Sequence, residues 1–125
     1  MKQITTANLQ LIYVSDIEKS TRFYQSLFNT KPVFLSPRYV AFSASASGDA
    51  LFALWSGGDK PAPKTPRYQE IGIMLPTDND VEKIYSAWKE RSDINFVSKI
   101  ATEVFGQTFL INDPDGHVIR ICSAD

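Results

Sequence analysis

The sequence predicts an α+β fold built from two βαβββ modules, and two observations carry this prediction. First, the same order of predicted elements (strand, helix, three strands) occurs on both sides of a polar Pro/Gly-rich segment, Ser56 to Pro66. Second, the two predicted helices begin alike, with Asp16-Ile17-Glu18-Lys19 and Asp80-Val81-Glu82-Lys83. We expect a single domain with module one at about residues 7–56, a linker at about 57–67 and module two at about 68–125.

Module one begins with an apolar run that reads as a strand, followed by a capped helix. Ser15 or Asp16 is the expected N-cap, and Asn29 with Pro32 predicts the end of the helix. Apolar positions recur at helical spacing in between. The predicted elements are a strand at Leu9 to Val14, a helix with the stripe Ile17, Thr21, Tyr24, Leu27 and Phe28, and strands at Pro32 to Leu35, Arg38 to Ser43 and Ala50 to Trp55.

Module two repeats this order after the linker. Thr77 or Asp78 is the expected helix cap, and Tyr85 and Trp88 lie on the apolar stripe, which predicts that both belong to the core. The predicted elements are strands at Glu70 to Leu75, Asn95 to Ile100, Phe105 to Ile111 and Val118 to Cys122, and a helix with the stripe Val81, Ile84, Tyr85 and Trp88.

The last two strands are predicted to form a β-hairpin around Asn112-Asp113-Pro114-Asp115-Gly116. Pro114 presets φ, Gly116 tolerates positive φ, and Asx side chains bond to nearby backbone amides. Asp113 and Asp115 could in principle act as an acid/base pair, but the turn needs these residue types for backbone reasons. His117, the single histidine, is most simply a polar residue beside the turn.

Composition is that of an ordinary globular protein, with 43% hydrophobic residues, 22% charged residues and a net charge of −1. Neither a nucleic-acid partner nor a disordered chain is indicated by this balance. No apolar run is long enough to span a membrane, and residues 1–6 lack the apolar core of a signal peptide, so the cytoplasm is the expected compartment. Cys122, the single cysteine, excludes an intrachain disulfide and is expected to be a small buried hydrophobe.

The duplicated βαβββ pattern, with VSDIEKSTRFY near the start and DPDGHVIRI at the end, resembles the vicinal-oxygen-chelate superfamily of glyoxalases, bleomycin-resistance proteins and dioxygenases. The resemblance covers nearly the whole chain. It implies a curved, incomplete barrel with the helices outside and a ligand on the concave face.

Metal-dependent members of that superfamily carry ligands on four strands, and the resemblance implies that Leu9, Ala53, Glu70 and Arg120 stand at those positions here. Of these four residues, Glu70 is a possible metal ligand, and Arg120 is a cation. A divalent metal needs several oxygen or nitrogen donors that converge. We therefore expect neither a metal nor another cofactor.

The face of the sheet that would carry metal ligands is instead suited to an organic ligand. Alternation places Tyr13 and Trp55 on this face in module one, and Glu70, Met74 and Arg120 on it in module two. Trp55 either lines a pocket or packs in a dimer, and Glu70 and Arg120 either pair with each other or meet a ligand. Arg38, Tyr39 and Phe105 either reach the pocket rim or face solvent.

The stretches NLQLIYVSDIEKSTRFY, SPRYVAF, SGDALFALWSGG, EIGIMLP and VFGQTFLINDPDGH resemble more closely the phenazine-antibiotic resistance proteins. This implies a homodimer that sequesters a planar aromatic antibiotic without modifying it, with Trp55 stacked on the ligand and Arg38 or Arg120 near a carboxylate. The predicted ligand-binding residues are Tyr13, Arg38, Tyr39, Trp55, Glu70, Met74, Phe105 and Arg120.

Two alternatives remain open at this point. The first is a metal-dependent lyase of the glyoxalase or thiol-transferase type that uses Glu70, a possibility that the fold favours and that Leu9, Ala53 and Arg120 oppose. The second is a structural or regulatory partner protein without a small ligand. Metal content would separate the first from a binding protein, and a fully polar or occluded inner face would favour the second.

Overall fold

The computed structural model describes residues 5–62 and 64–124. Backbone contacts divide the chain into two compact units, with the division between Pro61 and Ala62. Each unit contains one helix and one mixed sheet. No helix in these described ranges has the length and apolar character that crossing a bilayer requires.

Unit one has the predicted order of one strand, one helix and three strands. β1 runs parallel to β4, and β3 is antiparallel to both β4 and β2, which gives the sheet order β1-β4-β3-β2. The elements are β1 (Leu9–Tyr13), α1 (Ile17–Phe28), β2 (Phe34–Leu35), β3 (Tyr39–Ser43) and β4 (Leu51–Trp55).

The position of α1 follows from its cap and its aromatic stripe. The Asp16 carboxylate accepts a hydrogen bond from the Lys19 N–H at 3.1 Å, which satisfies one of the free N–H groups of the first turn. On the buried side, Tyr24 packs edge-on against Phe52 with ring centroids 5.0 Å apart, and Phe28 packs against Phe42 at 5.5 Å. Each such pair contributes about 0.5–1.5 kcal/mol beyond the area it buries. The helix therefore covers one face of the sheet.

Unit two repeats this arrangement with one additional strand. β5 runs parallel to β9, and β8 pairs antiparallel with β9, β6 and β7. The elements are β5 (Ile71–Leu75), α2 (Asp78–Lys89), β6 (Asn95–Phe96), β7 (Ala101–Glu103), β8 (Gly106–Asn112) and β9 (Val118–Ser123).

Helix α2 begins with a complete capping box, in which Thr77 and Asp80 each accept a hydrogen bond from the backbone N–H of the other. Its apolar side packs on β8. Tyr85 and Trp88 both lie edge-on to Phe109, at centroid distances of 5.0 and 6.0 Å. Trp88 is buried, as predicted, and Tyr85 is half-buried.

The strand predicted at Asn95 to Ile100 is wrong in its extent. The regular ladder stops after Phe96, where the N–H groups of Val97 and Ser98 both donate to the Leu110 carbonyl, and a separate short strand, β7, follows at Ala101–Glu103. The Leu110 N–H donates to the Ser98 hydroxyl at 3.0 Å. A side chain thus replaces the backbone partner that a continuous ladder would supply, and the strand is interrupted.

In each unit, the sheet face that turns away from the unit's own helix is here called the open face. In unit one it carries the odd-numbered residues of β1, β3 and β4, because Phe42 and Phe52 lie on the helix side. In unit two it carries Gly72, Arg120 and Leu110, because their neighbours Ile121 and Phe109 are fully buried toward α2. This segregation agrees with the predicted alternation.

Candidate ligand-binding site

The open face of unit one carries a row of aromatic side chains near one end of the sheet. Tyr13, Trp55 and Tyr39 are cross-strand neighbours on three adjacent strands, in the order β1, β4, β3. Phe34 on β2 extends the row, with its ring 5.8 Å from that of Tyr39. Tyr13 is 45% exposed and Phe34 is 54% exposed, so large apolar surfaces are left uncovered on this face. Such a row offers flat surfaces on which an aromatic ligand can stack.

Two glycines hold the indole in this row. A Cβ placed on Gly57 would lie 2.3 Å from Cζ2 of Trp55, and one placed on Gly58 would lie 2.7 Å from Cε2 of Tyr13. Both positions are closer than any carbon contact allows, so the Gly57-Gly58 backbone packs directly against the two rings. The start of the predicted linker therefore belongs structurally to the aromatic row.

Arg38 stands beside this row in the turn between β2 and β3. The turn is closed by Ser36, whose hydroxyl donates to the Tyr39 carbonyl at 2.7 Å and accepts from the Tyr39 N–H. The Arg38 carbonyl accepts a hydrogen bond from the Ser56 N–H at 2.9 Å, directly after Trp55. Arg38 is exposed and lies at the same end of the sheet as the indole. Unit one thus brings together Tyr13, Tyr39 and Trp55 on one face, and it places the backbone of Arg38 next to Trp55.

In unit two, the open face carries a charged group that is fully oriented by its neighbours. Arg120 donates from Nε and Nη2 to the two carboxylate oxygens of Glu70, at 2.7 and 3.0 Å, and from Nη1 to the Thr108 hydroxyl at 3.0 Å. The guanidinium carbon lies 5.8 Å from the ring centroid of Phe105. The sequence left open whether Glu70 and Arg120 pair with each other or remain available to a ligand, and in the structure they form an ion pair.

The ion pair stabilises the charged form of both partners. Hydrogen bonding by Arg120 lowers the pKa of Glu70, and hydrogen bonding by Glu70 raises the pKa of Arg120 further above its ordinary value. Both side chains are partly exposed, so solvent screens their attraction. The bidentate geometry nevertheless fixes the direction in which the guanidinium points.

Phe105 is positioned by the turn that precedes β8. Gly106 has a φ of 115°, a conformation that favours glycine, and a Cβ there would lie 2.3 Å from the Ser123 hydroxyl. The Gln107 N–H donates to the Asp78 carboxylate at 2.8 Å, which ties this turn to the start of α2 and lowers the pKa of Asp78. The strand predicted from Phe105 begins instead at Gly106, and Phe105 lies in the turn.

Met74 and Cys122 are adjacent on the same open face, as cross-strand partners in β5 and β9. Met74 is 67% exposed and provides an apolar contact surface next to the ion pair. The expectation that Cys122 is buried is wrong, because its side of the sheet carries no helix and the residue is only half-buried.

The four positions at which the superfamily carries metal ligands do not fit a metal. Leu9 and Ala53 have no donor atoms, and Arg120 is a cation bonded to the single carboxylate, Glu70. Among the residues that the structure describes, no group of three or more His, Cys, Asp or Glu side chains could hold a metal ion. The donor set is therefore unsuited to the metal chemistry of the superfamily.

The turn between β8 and β9 has the structural role predicted for it. The Asp113 carboxylate accepts from the N–H groups of Asp115 and His117 at 2.9 and 2.8 Å, and Gly116 has a φ of 87°. Arg67, which sequence reasoning missed, lies 3.2 Å from Nδ1 of His117 and donates to the Asp115 carbonyl at 2.8 Å. The Asp113 carboxylate thus holds the turn, as the sequence predicted.

Sequence reasoning also missed Phe34, Thr108 and the two glycines beside Trp55. Alternation in the short strand β2 could have placed Phe34 on the open face, since it pairs with Ala41. Thr108 and the glycines act through contacts that depend on the fold, and a single sequence carries no signal for them.

Comparison with known proteins agrees with this architecture. Residues 4–121 match the model of the glyoxalase/bleomycin resistance protein/dioxygenase superfamily. This chain belongs to that superfamily. The resemblance inferred from the duplicated pattern and the DPDGHVIRI motif is thereby confirmed.

A curated relative, the phenazine antibiotic resistance protein EhpR of Enterobacter agglomerans, is 57% identical over 122 residues, which cover 96% of this chain and 93% of the relative. Among solved structures, an NMR structure from Agrobacterium tumefaciens is 27% identical with a TM-score of 0.78, covering 96% of this chain and 98% of that one. The fosfomycin resistance protein FosX of Listeria monocytogenes is 17% identical with a TM-score of 0.74, covering 96% and 90%. The last likeness shows the fold alone.

Proposed function

We propose that this protein binds a planar aromatic antibiotic such as a phenazine and sequesters it without chemical change. The observation that carries the proposal is the aromatic row on the open face of unit one, with the Trp55 indole between two tyrosines. The 57% identity to a protein named for phenazine antibiotic resistance supports the same ligand class. In this proposal Trp55 stacks on the ligand, and Tyr13, Tyr39 and Phe34 extend the stacking surface.

Arg38 is the residue we assign to an acidic group on the ligand. It is exposed, it lies at the Trp55 end of the sheet, and a guanidinium forms two parallel hydrogen bonds with a carboxylate. Arg120 is less suited to this role because Glu70 already occupies its fork. Glu70, Met74, Phe105 and Arg120 form a second candidate contact surface, on the open face of unit two.

The proposal includes no catalytic step. Binding without chemistry is supported by the donor-poor metal positions and by the resistance-type relative. Ligand incubated with the protein, with and without added divalent metal, should be recovered at its original mass. A product peak that requires both protein and metal would favour the lyase alternative instead.

Fluorescence of the two tryptophans provides the main test, because Trp55 lies in the aromatic row and Trp88 is buried against Phe109. Titration with phenazines should quench the emission in a saturable manner in the parent protein and in Trp88→Phe. The quenching should be lost in Trp55→Ala, and calorimetry should show a weaker Kd in that variant. Unchanged affinity of Trp55→Ala for every planar aromatic compound tested would refute the proposal.

Assembly and location form separate parts of the proposal. We propose a homodimer in the cytoplasm, and the exposed apolar residues Leu9 and Leu11 on the edge strand β1 provide a surface that a second copy could cover. Light scattering after size-exclusion chromatography should give twice the 14.0 kDa chain mass. Cell fractionation should place the protein with cytoplasmic markers.

A further inference from the structure

We infer that the hydroxyl of Tyr39 selects the ligand by donating a hydrogen bond to an acceptor atom in the ring system that stacks on Trp55. The open face of unit one then prefers a flat ring system with a nitrogen or oxygen acceptor to a hydrocarbon of the same outline. This inference rests on the proposed function, because it names the ligand class of that same site more closely.

Tyr39 and Trp55 form the closer of the two kinds of facing pair in an antiparallel sheet. Such pairs alternate between residues that exchange backbone hydrogen bonds and residues that do not, and the side chains of the second kind are closer. Directly beside this pair, Arg38 faces Ser56, and the Ser56 N–H donates to the Arg38 carbonyl at 2.9 Å. The next facing pair, Tyr39 and Trp55, is therefore of the second kind, with Cα atoms about 4.5 Å apart.

The backbone and the ring of Tyr39 are both held by neighbours. The Ser36 hydroxyl bonds to the N–H and to the carbonyl of Tyr39. Phe34 packs on one side of the phenol ring, with centroids 5.8 Å apart and planes inclined by 58°, and Trp55 stands on the neighbouring strand at the other side. Side chains in a strand stand roughly perpendicular to the sheet, so the hydroxyl is the part of Tyr39 that lies farthest from it.

The Tyr39 hydroxyl is available to a ligand. It forms no hydrogen bond with the other residues that the structure describes, and it is accessible to solvent. The described strands of unit one carry no Asp or Glu on the open face, and Arg38, beside the aromatic row, contributes donors only. A ligand with acceptor atoms therefore supplies the groups that this face lacks.

Stacking and hydrogen bonding fall to different residues of the row. A ring stacked on Trp55 is parallel to the indole, so the indole N–H, which lies in the indole plane, does not point at the ligand. Tyr39 stands beside the rim of such a ligand, and a tyrosine combines an apolar ring with a polar tip. Its hydroxyl can therefore reach an acceptor at the rim, while a carboxylate on the ligand is left to Arg38.

The test uses two tricyclic acids of the same outline, phenazine-2-carboxylate and anthracene-2-carboxylate. Both carry the carboxylate assigned to Arg38, and phenazine has ring nitrogens where anthracene has CH groups. Titration calorimetry at neutral pH gives the Kd of each acid for the parent protein and for Tyr39→Phe, which removes the hydroxyl alone. The ratio of phenazine to anthracene affinity should fall about fivefold in Tyr39→Phe, which is the effect of one hydrogen bond between neutral groups.

Two further variants make the test specific. Tyr68→Phe removes the same group from a ring in unit two that is 97% exposed, and it should leave the affinity ratio unchanged. Tyr39→Leu removes the ring as well, so it should weaken the binding of both acids and lower the ratio by the same factor. It decides the matter if Tyr39→Phe does not fold, which circular dichroism checks.

The outcomes separate this inference from the function on which it rests. If both acids bind but their affinity ratio is the same in the parent and in the folded Tyr39 variants, the inference is refuted and sequestration of flat aromatic compounds stands. An equal fall of the ratio in Tyr68→Phe would also refute it, since the effect would then not depend on the aromatic row. If neither acid binds to the parent, the proposed function itself is refuted.

Discussion

Gly57→Ala should weaken ligand binding although it removes no atom that a ligand could contact. The added Cβ would lie 2.3 Å from Cζ2 and 2.4 Å from Cη2 of Trp55. Carbon atoms in contact lie about 3.5 Å apart or more, so the indole and the Gly57 backbone must separate by roughly 1.2 Å. Overpacking of this kind costs about 1–3 kcal/mol when the surroundings resist it, and a ring at the exposed open face moves more easily than a core side chain.

The expected loss of affinity follows from the stacking that a displaced indole gives up. Aromatic stacking contributes about 0.5–1.5 kcal/mol beyond buried area. Loss of this amount weakens the Kd by roughly 2- to 12-fold, given tenfold for each 1.4 kcal/mol. The effect should therefore be smaller than that of Trp55→Ala, which also removes the contact area.

The measurement uses a Trp88→Phe background, in which Trp55 is the single tryptophan. The emission maximum and near-ultraviolet circular dichroism report the position of the indole, and a phenazine titration gives the Kd. Gly48→Ala is the control, because a Cβ there meets nothing within 4 Å, although its φ of 78° strains the variant. An unchanged spectrum together with an unchanged Kd in Gly57→Ala would refute the proposed contact between this glycine and the indole.

Two predictions concern stability. Asp113→Ala removes the acceptor for the N–H groups of Asp115 and His117, so urea unfolding should show a loss of about 3 kcal/mol in the free energy of unfolding. Asp113→Asn keeps one acceptor oxygen and should lose less stability. Equal losses in the two variants would contradict the assigned hydrogen bonds. The pKa of Glu70 is lowered by Arg120 in the folded protein, so the ion pair stabilises above the unfolded-state pKa, and this contribution is lost as the pH falls through the folded-state pKa. Because Glu70 is well exposed, we expect the ion pair to contribute less than about 1 kcal/mol to the free energy of unfolding. The measurement compares how far the free energy of unfolding falls between neutral and acidic pH in the parent protein and in Glu70→Gln. The fall should be larger in the parent, and an identical fall in both proteins would contradict the prediction.

The elements that sequence analysis predicted correctly are those with strong local signals. Asp16 caps α1, Asn29 ends it in the left-handed conformation, and Thr77 caps α2. Each signal depends on hydrogen bonds within a few residues, which makes it visible in a single sequence. The split of the predicted strand at Asn95 to Ile100 was not visible, because the Ser98 hydroxyl finds its partner, Leu110, twelve residues away.

Much the same division applies to the candidate site. Alternation along the strands is a local property, so the sequence by itself determined that Tyr13 and Trp55 share one face and that Arg120 lies opposite the apolar side of β9. Alternation along the strands could not predict whether Arg120 pairs with Glu70 or is available to a ligand. The two residues are fifty positions apart, and their contact depends on the parallel pairing of β5 with β9.

The sequence thus determined the duplicated βαβββ pattern, the family and the composition of the open faces, since these depend on periodicity and on short motifs. Tertiary structure alone decided that Phe34 joins the aromatic row, that Gly57 and Gly58 pack against its rings, and that Glu70 occupies the fork of Arg120. For Glu70 and Arg120 the physical reason is their distance along the chain, whereas Phe34 and Gly57 lie near their partners in sequence and meet them through strand register and turn geometry. Side-chain direction repeats every two residues in a strand, whereas contacts between strands are set by register and turn geometry.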